Sequence, residues 1–113
     1  MDQTHDDEFL PTKLLLIDNH LPMVDAWKQA FEKFSEVEIL AGDYFQRQAD
    51  AMVSPANSFG IMDGGIDLAI RKQFGLGIQA RVQKVIIDRY HGEMPVGAAE
   101  VIETGDARWK YLI

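Results

Sequence analysis

The sequence predicts an α/β fold, a three-layer α/β/α arrangement around a mixed, mainly parallel central sheet. Three observations carry this expectation. Short apolar runs flanked by turn residues read as strands, amphipathic segments of helical period fall between them, and a glycine-rich junction at Val53–Ile70 lies where a strand gives way to a helix. Strands that alternate with helices pair mostly in parallel, because the helix supplies the crossover.

Each element follows from local chemistry. Residues 1–11, which include Met1-Asp2-Gln3-Thr4-His5-Asp6-Asp7-Glu8, read as a flexible acidic tail. Lys13-Leu14-Leu15-Leu16-Ile17-Asp18 reads as a strand buried on both faces, since its apolar residues do not alternate with polar ones. Asn19-His20-Leu21-Pro22 turns the chain. From Pro22 to Phe34, Val24, Trp27, Phe31 and Phe34 recur at helical spacing, with Asp25, Lys28, Glu32 and Lys33 on the outer face. Glu36–Ala41 alternates as a strand and Gly42-Asp43 ends it; Asp50–Ser54 supplies another. A helix is expected over Ile66–Phe74, stopped by Gly75 or Gly77. A second is expected from about Leu76 to Tyr90, with Ile78, Val82, Val85 and Ile86 as its apolar stripe and Gly92 as its stop. Val96–Thr104 and Trp109–Ile113 read as two further strands. The last breaks off in mid-pattern, which predicts an open sheet edge and hence a fragment, a homo-oligomer or a complementing segment.

Composition narrows the function. At 113 residues and 47% hydrophobic, the chain suits one core. A net charge of −7 opposes binding to nucleic-acid polymers or anionic membrane surfaces, which rely on a basic face. No apolar run is long enough to span a bilayer. The absence of cysteine excludes disulfides, thiolate zinc sites and a thiol nucleophile, and suits a reducing cytoplasm. His5, His20 and His91 are scattered without the i, i+4 spacing of a helical metal pair, so no metal site is predicted.

The junction carries the chemistry. Ala51-Met52-Val53 ends a strand, Ile66, Leu68, Ala69 and Ile70 begin a helix, and between them lie Pro55, Asn57, Ser58, Gly60, Gly64 and Gly65. Paired glycines before a helix leave amide N–H groups uncovered at its positive end, which suits an anionic group such as a diphosphate.

These residues resemble the macro domain, the family of ADP-ribose-binding modules. Its signature N-A-A-N, a glycine-rich run and V-D-G-A-I, is similar to Ser54-Pro55-Ala56-Asn57 followed by Gly64-Gly65-Ile66-Asp67-Leu68-Ala69-Ile70. Upstream, Gly42-Asp43 resembles the family's G-D-I-T turn, and Asp50-Ala51-Met52-Val53 its D-A-I-V strand. The element order resembles the N-terminal part of that fold, implying an incomplete macro-domain-like domain over residues 12–113.

By this resemblance Asp43 accepts a hydrogen bond from the exocyclic amine of adenine, and Asn57 bonds the distal ribose. The amides of Gly64, Gly65 and Ile66 face that ribose and the diphosphate, and Asp67 orients or deprotonates a water for cleavage at the anomeric carbon. No cofactor is implied. Each residue also has a structural reading: Asp43 as a turn aspartate, Asn57 as an Asx-turn brace, the glycines as a tight turn and Asp67 as a complement to the helix dipole. Two positions depart from the hydrolytic pattern. Arg71 stands one turn beyond Asp67, where several hydrolases carry histidine, and Ser54 replaces the first asparagine. The resemblance therefore implies an ADP-ribosyl hydrolase acting on an ADP-ribosylated substrate, or a non-catalytic ADP-ribose reader. A third reading is a half-domain that needs the family's later glycine-rich loop, or a partner, to complete the site.

Overall fold

The described residues fall into two compact units, divided between Arg47 and Gln48. The computed structural model describes residues 13–75 and 77–113. The expected acidic tail over residues 1–11, and Leu76 at the expected start of a helix, lie outside the described residues.

In the first unit, β1 (Leu14–Asp18) and β2 (Val37–Ala41) pair in parallel, in register from Leu14 opposite Val37 to Asp18 opposite Ala41. The crossover is α1 (Leu21–Ala30), which packs against both strands and buries Val24. Its start is set locally. Asp18 Oδ1 accepts the His20 amide at 2.9 Å, and Pro22 sits in the first turn, where its missing N–H costs nothing. The helix ends four residues short of the expected Phe34. The Phe31 amide still bonds Trp27 O, but Phe34 and Val37 donate three residues back, to Phe31 O and Phe34 O. These turns unwind the chain into β2, and Phe31 and Phe34 meet edge to face at 6.1 Å instead of continuing an apolar stripe. The expectation of a first strand buried on both faces also needs correction: Leu15, Leu16 and Ile17 are half-buried and Leu14 is 48% exposed. Within this unit the two strands have one helix to pack on.

The turn after β2 is held by the Gly42 amide on Asp18 O at 3.0 Å. Asp43 then caps a single 3-10 turn, Tyr44–Gln46, its Oδ1 accepting the Phe45 amide at 2.9 Å. On β2, Glu38 lies between Arg47, at 3.1 Å, and Lys13, at 3.2 Å; these two cations hold its carboxyl below the usual value.

In the second unit, β3 (Ala49–Met52), β4 (Ile102–Glu103) and β5 (Trp109–Leu112) form one sheet in the order β3-β5-β4. β3 is parallel to β5, with Ala51 opposite Tyr111, and β4 is antiparallel to it, with Glu103 opposite Tyr111. The ladder runs past the strands: Ile113 donates to Met52 O at 2.9 Å and Ser54 donates to Ile113 O at 2.8 Å. The expected open edge at the last strand is corrected by this order. β5 is central and paired on both sides, so its apolar pattern reflects an interior strand, and the basis for an oligomer or complementing segment there is removed.

Between β3 and β4 the chain forms α2 (Gly65–Phe74) and α3 (Gly77–Tyr90). Gly75 ends α2 in a left-handed conformation, φ +93°, its amide on Arg71 O at 2.8 Å. The stripe expected on α3 is found: Ile78, Val82 and Ile86 are buried and Val85 is half-buried. They share the core with Met62, Ile70, Trp109 and Leu112, and Phe74 packs edge-on against Trp109 at 5.8 Å. Each such side chain contributes roughly 1.5–3 kcal/mol on burial. The strand expected over Val96–Thr104 shrinks to Ile102–Glu103. Pro95 offers no N–H, Gly97 turns at φ +89° with Ala98 donating back to Pro95 O, and Val96 is fully exposed.

Parallel pairs alternating with helices, plus one antiparallel pair, make this an α/β chain with mixed, mainly parallel pairing, distributed over one sheet in each unit.

Candidate functional site

The segment after β3 is built around one side chain. Asn57 Oδ1 accepts the amides of Phe59 and Ile61, both at 3.1 Å, its Nδ2 donates to Ile61 O at 2.6 Å, and its carbonyl accepts the Gly60 amide at 3.2 Å. The Asx brace is thus present. It uses both acceptor positions of the side-chain oxygen and leaves one N–H of Nδ2 for another partner. Gly60, at φ +70°, seats the turn on α3: a Cβ there would lie 2.9 Å from Val82 Cγ1 and 3.0 Å from Ile86 Cδ1. Met62 is buried next, its amide donating to Gln79 Oε1 at 2.8 Å.

Beyond Met62 the chain surfaces. Asp63, Gly64, Gly65 and Ile66 are exposed, and α2 starts with Gly65 at φ +56°, a left-handed conformation that glycine adopts without strain. Leu68 donates to Gly64 O at 3.2 Å as the helix begins. Among the described residues, no carbonyl or side chain accepts from the amides of Gly64, Gly65 or Ile66. These donors open on a cleft of about 320 Å3 lined by Pro55, Asn57, Ile61, Asp63, Gly64, Gly65, Ile66 and Asp67. Asp67, 6% exposed in the first turn of α2, accepts a hydrogen bond from the Ser54 hydroxyl at Oδ1.

The fold therefore brings Asn57, Gly64, Gly65, Ile66 and Asp67 to one cleft. Asp43 belongs to the first unit, where its Oδ1 caps the 3-10 turn. Arg71, one turn beyond Asp67, donates from Nη1 to Gln79 Oε1 at 3.2 Å. Three contributors were missed from sequence: Gly60 as the seat of the turn, Gln79 as its tie, and the bond from Ser54 to Asp67. For Gly60 a signal existed in Asn57-Ser58-Phe59-Gly60, a turn-forming asparagine followed by a glycine. For the other two none existed, because each joins residues far apart in sequence.

A second cavity, about 220 Å3, lies under apolar side chains that include Val82, Val85, Ile86, Met94 and Leu112. Its one charged lining residue, Glu100, accepts the Tyr90 hydroxyl at 2.7 Å. An anion is better matched by the glycine cleft, with its free donors, than by an apolar wall carrying a carboxylate. Among the described residues no group of three or more acidic, histidine or cysteine side chains is arranged to hold a metal, and no helix is long and apolar enough to cross a membrane.

Comparison with known proteins places the same segment. A macro domain-containing protein of Streptomyces nogalater is 36% identical over 75 residues, covering 65% of this chain and 41% of the relative. An uncharacterized protein of Pyrobaculum aerophilum is 37% identical over 78 residues, 69% of this chain and 42% of its own. A macro domain-containing protein of Listeria monocytogenes is 33% identical over 78 residues, 69% and 43% respectively. The chain thus spans about two-fifths of the length of these relatives. No solved structure matches it. The Macro domain family model matches residues 53–113, from the end of β3 through the glycine cleft to β5. With a strand, an Asx-braced turn and a glycine-opened helix in that matched order, the chain belongs to the macro domain family.

Proposed function

We propose that the glycine cleft binds ADP-ribose or an ADP-ribosyl group and acts as a reader of that modification. Macro domains generally bind ADP-ribose. The observation that carries the reading here is the row of unpaired amides at Gly64, Gly65 and Ile66, opening on the cleft at the N-terminus of α2. Those amides take the diphosphate, and the remaining N–H of Asn57 takes the distal ribose.

Asp67 separates a reader from a hydrolase. Its Oδ1 is occupied by the Ser54 hydroxyl, and Arg71, standing where several hydrolases carry histidine, is a guanidinium that gives up no proton and turns to Gln79. These contacts favour the reader. The hydrolytic reading rests on Oδ2, which has no hydrogen bond and, since no buried side-chain oxygen among the described residues lacks a partner, keeps solvent access from which a water would be oriented.

Titration calorimetry of the full chain with ADP-ribose tests binding. The expected Kd is on the order of 0.1–1 mM, because an exposed cleft encloses little of the ligand. Gly65→Asp places a carboxylate beside the diphosphate at a position where a Cβ meets nothing within 4 Å. Aspartate and asparagine both tolerate this left-handed backbone. The expected outcome is at least a tenfold loss of affinity in Gly65→Asp, about 1.4 kcal/mol, and near-native affinity in Gly65→Asn. Equal affinity in both variants overturns the placement. Release of ADP-ribose from a modified protein by the wild type, abolished in Asp67→Ala, would replace the reader by the hydrolase.

A further inference from the structure

We infer that Gln79, on α3, is a positioning residue that sets the direction of the ligand-binding loop; the inference rests on the ADP-ribose reading of the cleft. Gly64 and Gly65 have no side chains, and a Cβ at either would meet nothing within 4 Å, so packing at their own positions does not hold them. Their orientation is inherited from upstream. Asn57 folds residues 57–61 on themselves and Gly60 rests on Val82 and Ile86. Burial of the Met62 side chain fixes a location. Of these contacts, the bond from Asn57 Nδ2 to Ile61 O holds the carbonyl side of the Ile61–Met62 peptide plane, from which Asp63 and Gly64 depart; its N–H side needs a second partner.

Gln79 is that partner. Its Oε1 accepts the Met62 amide at 2.8 Å and the Arg71 guanidinium at 3.2 Å, filling both acceptor positions of one oxygen. The bond from Arg71 is charge-assisted and draws that oxygen toward α2. A single atom therefore joins the loop to α2, which carries the Gly65 and Ile66 donors, and to α3, on which the loop rests. Affinity for a flexible diphosphate depends on such pre-organisation. In this arrangement Arg71 serves the cleft from behind, through Gln79, without touching the ligand.

The test uses the full chain with Gln79→Leu, which keeps size and helix propensity but loses the acceptor, and Gln79→Glu, which keeps an oxygen that accepts both bonds. Amide hydrogen exchange by NMR and ADP-ribose titration are read together. In Gln79→Leu, exchange at Met62 is expected to quicken at least tenfold while Ile70 and Ile86 stay unchanged, and affinity to fall about tenfold, the size of one lost hydrogen bond. Gln79→Glu is expected to restore both. Unchanged Met62 exchange in Gln79→Leu, or a Gln79→Glu that behaves like it, overturns the inference. If exchange responds as expected but the wild type gives no ADP-ribose signal, the brace stands and the ligand reading of the cleft falls.

Discussion

Gly60 is the position where the site tolerates least change. Two independent costs attach to a methyl group there. The backbone at φ +70° is disfavoured for alanine, and the Cβ would press on Val82 Cγ1, a β-branched atom with little room to turn, as well as on the movable tip of Ile86. Gly60→Ala should lose about 2–3 kcal/mol of stability by urea denaturation, combining left-handed strain with mild overpacking. A loss below about 0.5 kcal/mol would show that the turn does not sit on α3 in solution. Asn57 teaches a related lesson. One side chain braces the turn and still keeps a donor to spare, so the structural and the binding roles are compatible.

The β4–β5 hairpin depends on a buried hydroxyl more than on strand length, for β4 has two residues. Thr104 Oγ1 bonds Trp109 O and accepts the Asp106 amide at 3.0 Å, while the Thr104 amide donates to Lys110 O at 3.0 Å. Thr104→Val keeps the shape but strands the Asp106 amide. It should cost about 1–3 kcal/mol, with exchange quickened at Asp106 and unchanged in α3. A neutral result would mean that water replaces the hydroxyl. The helices differ in how they are secured. α1 ends where chain turns lead into β2, whereas α2 and α3 are tied side by side through Arg71 and Gln79 and share the core around Ile70, Ile78 and Val82.

For the molecule as a whole, a charge of −7 makes its ion pairs matter chiefly through pH. Each unit carries a carboxylate held by cations. Glu38 is lowered from 4.5 by its hydrogen bonds to Arg47 and Lys13, and Asp106 from 3.8 by its bonds to the Arg108 side chain and amide. A folded-state value below the unfolded one adds stability that is present above pH 4.5 for Glu38 and above pH 3.8 for Asp106. That stability is lost as pH falls through the lowered values. Tyr90 has the opposite sign: its bond to Glu100 raises the phenol above 10.0, so its contribution is present below that pH and lost as pH rises through the raised value. Urea midpoints should therefore fall on acidification below about pH 4.5, and Glu38→Gln should flatten that limb. The two carboxylates are half-buried but their cations Lys13, Arg47 and Arg108 are exposed, so added salt should shrink the effect. An acid limb of the same steepness in Glu38→Gln contradicts the assignment.

Much of this was legible from residue order. Apolar runs and helical spacing located every described α-helix and strand, though not the 3-10 turn at Tyr44–Gln46, because both periods are local properties of the backbone, and Gly75 stopped α2 because a left-handed residue ends a helix cheaply. The glycine junction was readable for the same reason. What residue order left open depended on contacts between distant positions. Strand order put Trp109–Leu112 between Ala49–Met52 and Ile102–Glu103, turning an expected open edge into an interior strand. Ser54 met Asp67, Gln79 met Met62 and Arg71, and Gly60 met Val82 across similar gaps. Local chemistry sets which conformations a segment prefers; which side chains then share a hydrogen bond or a tight contact is settled when separate segments pack together.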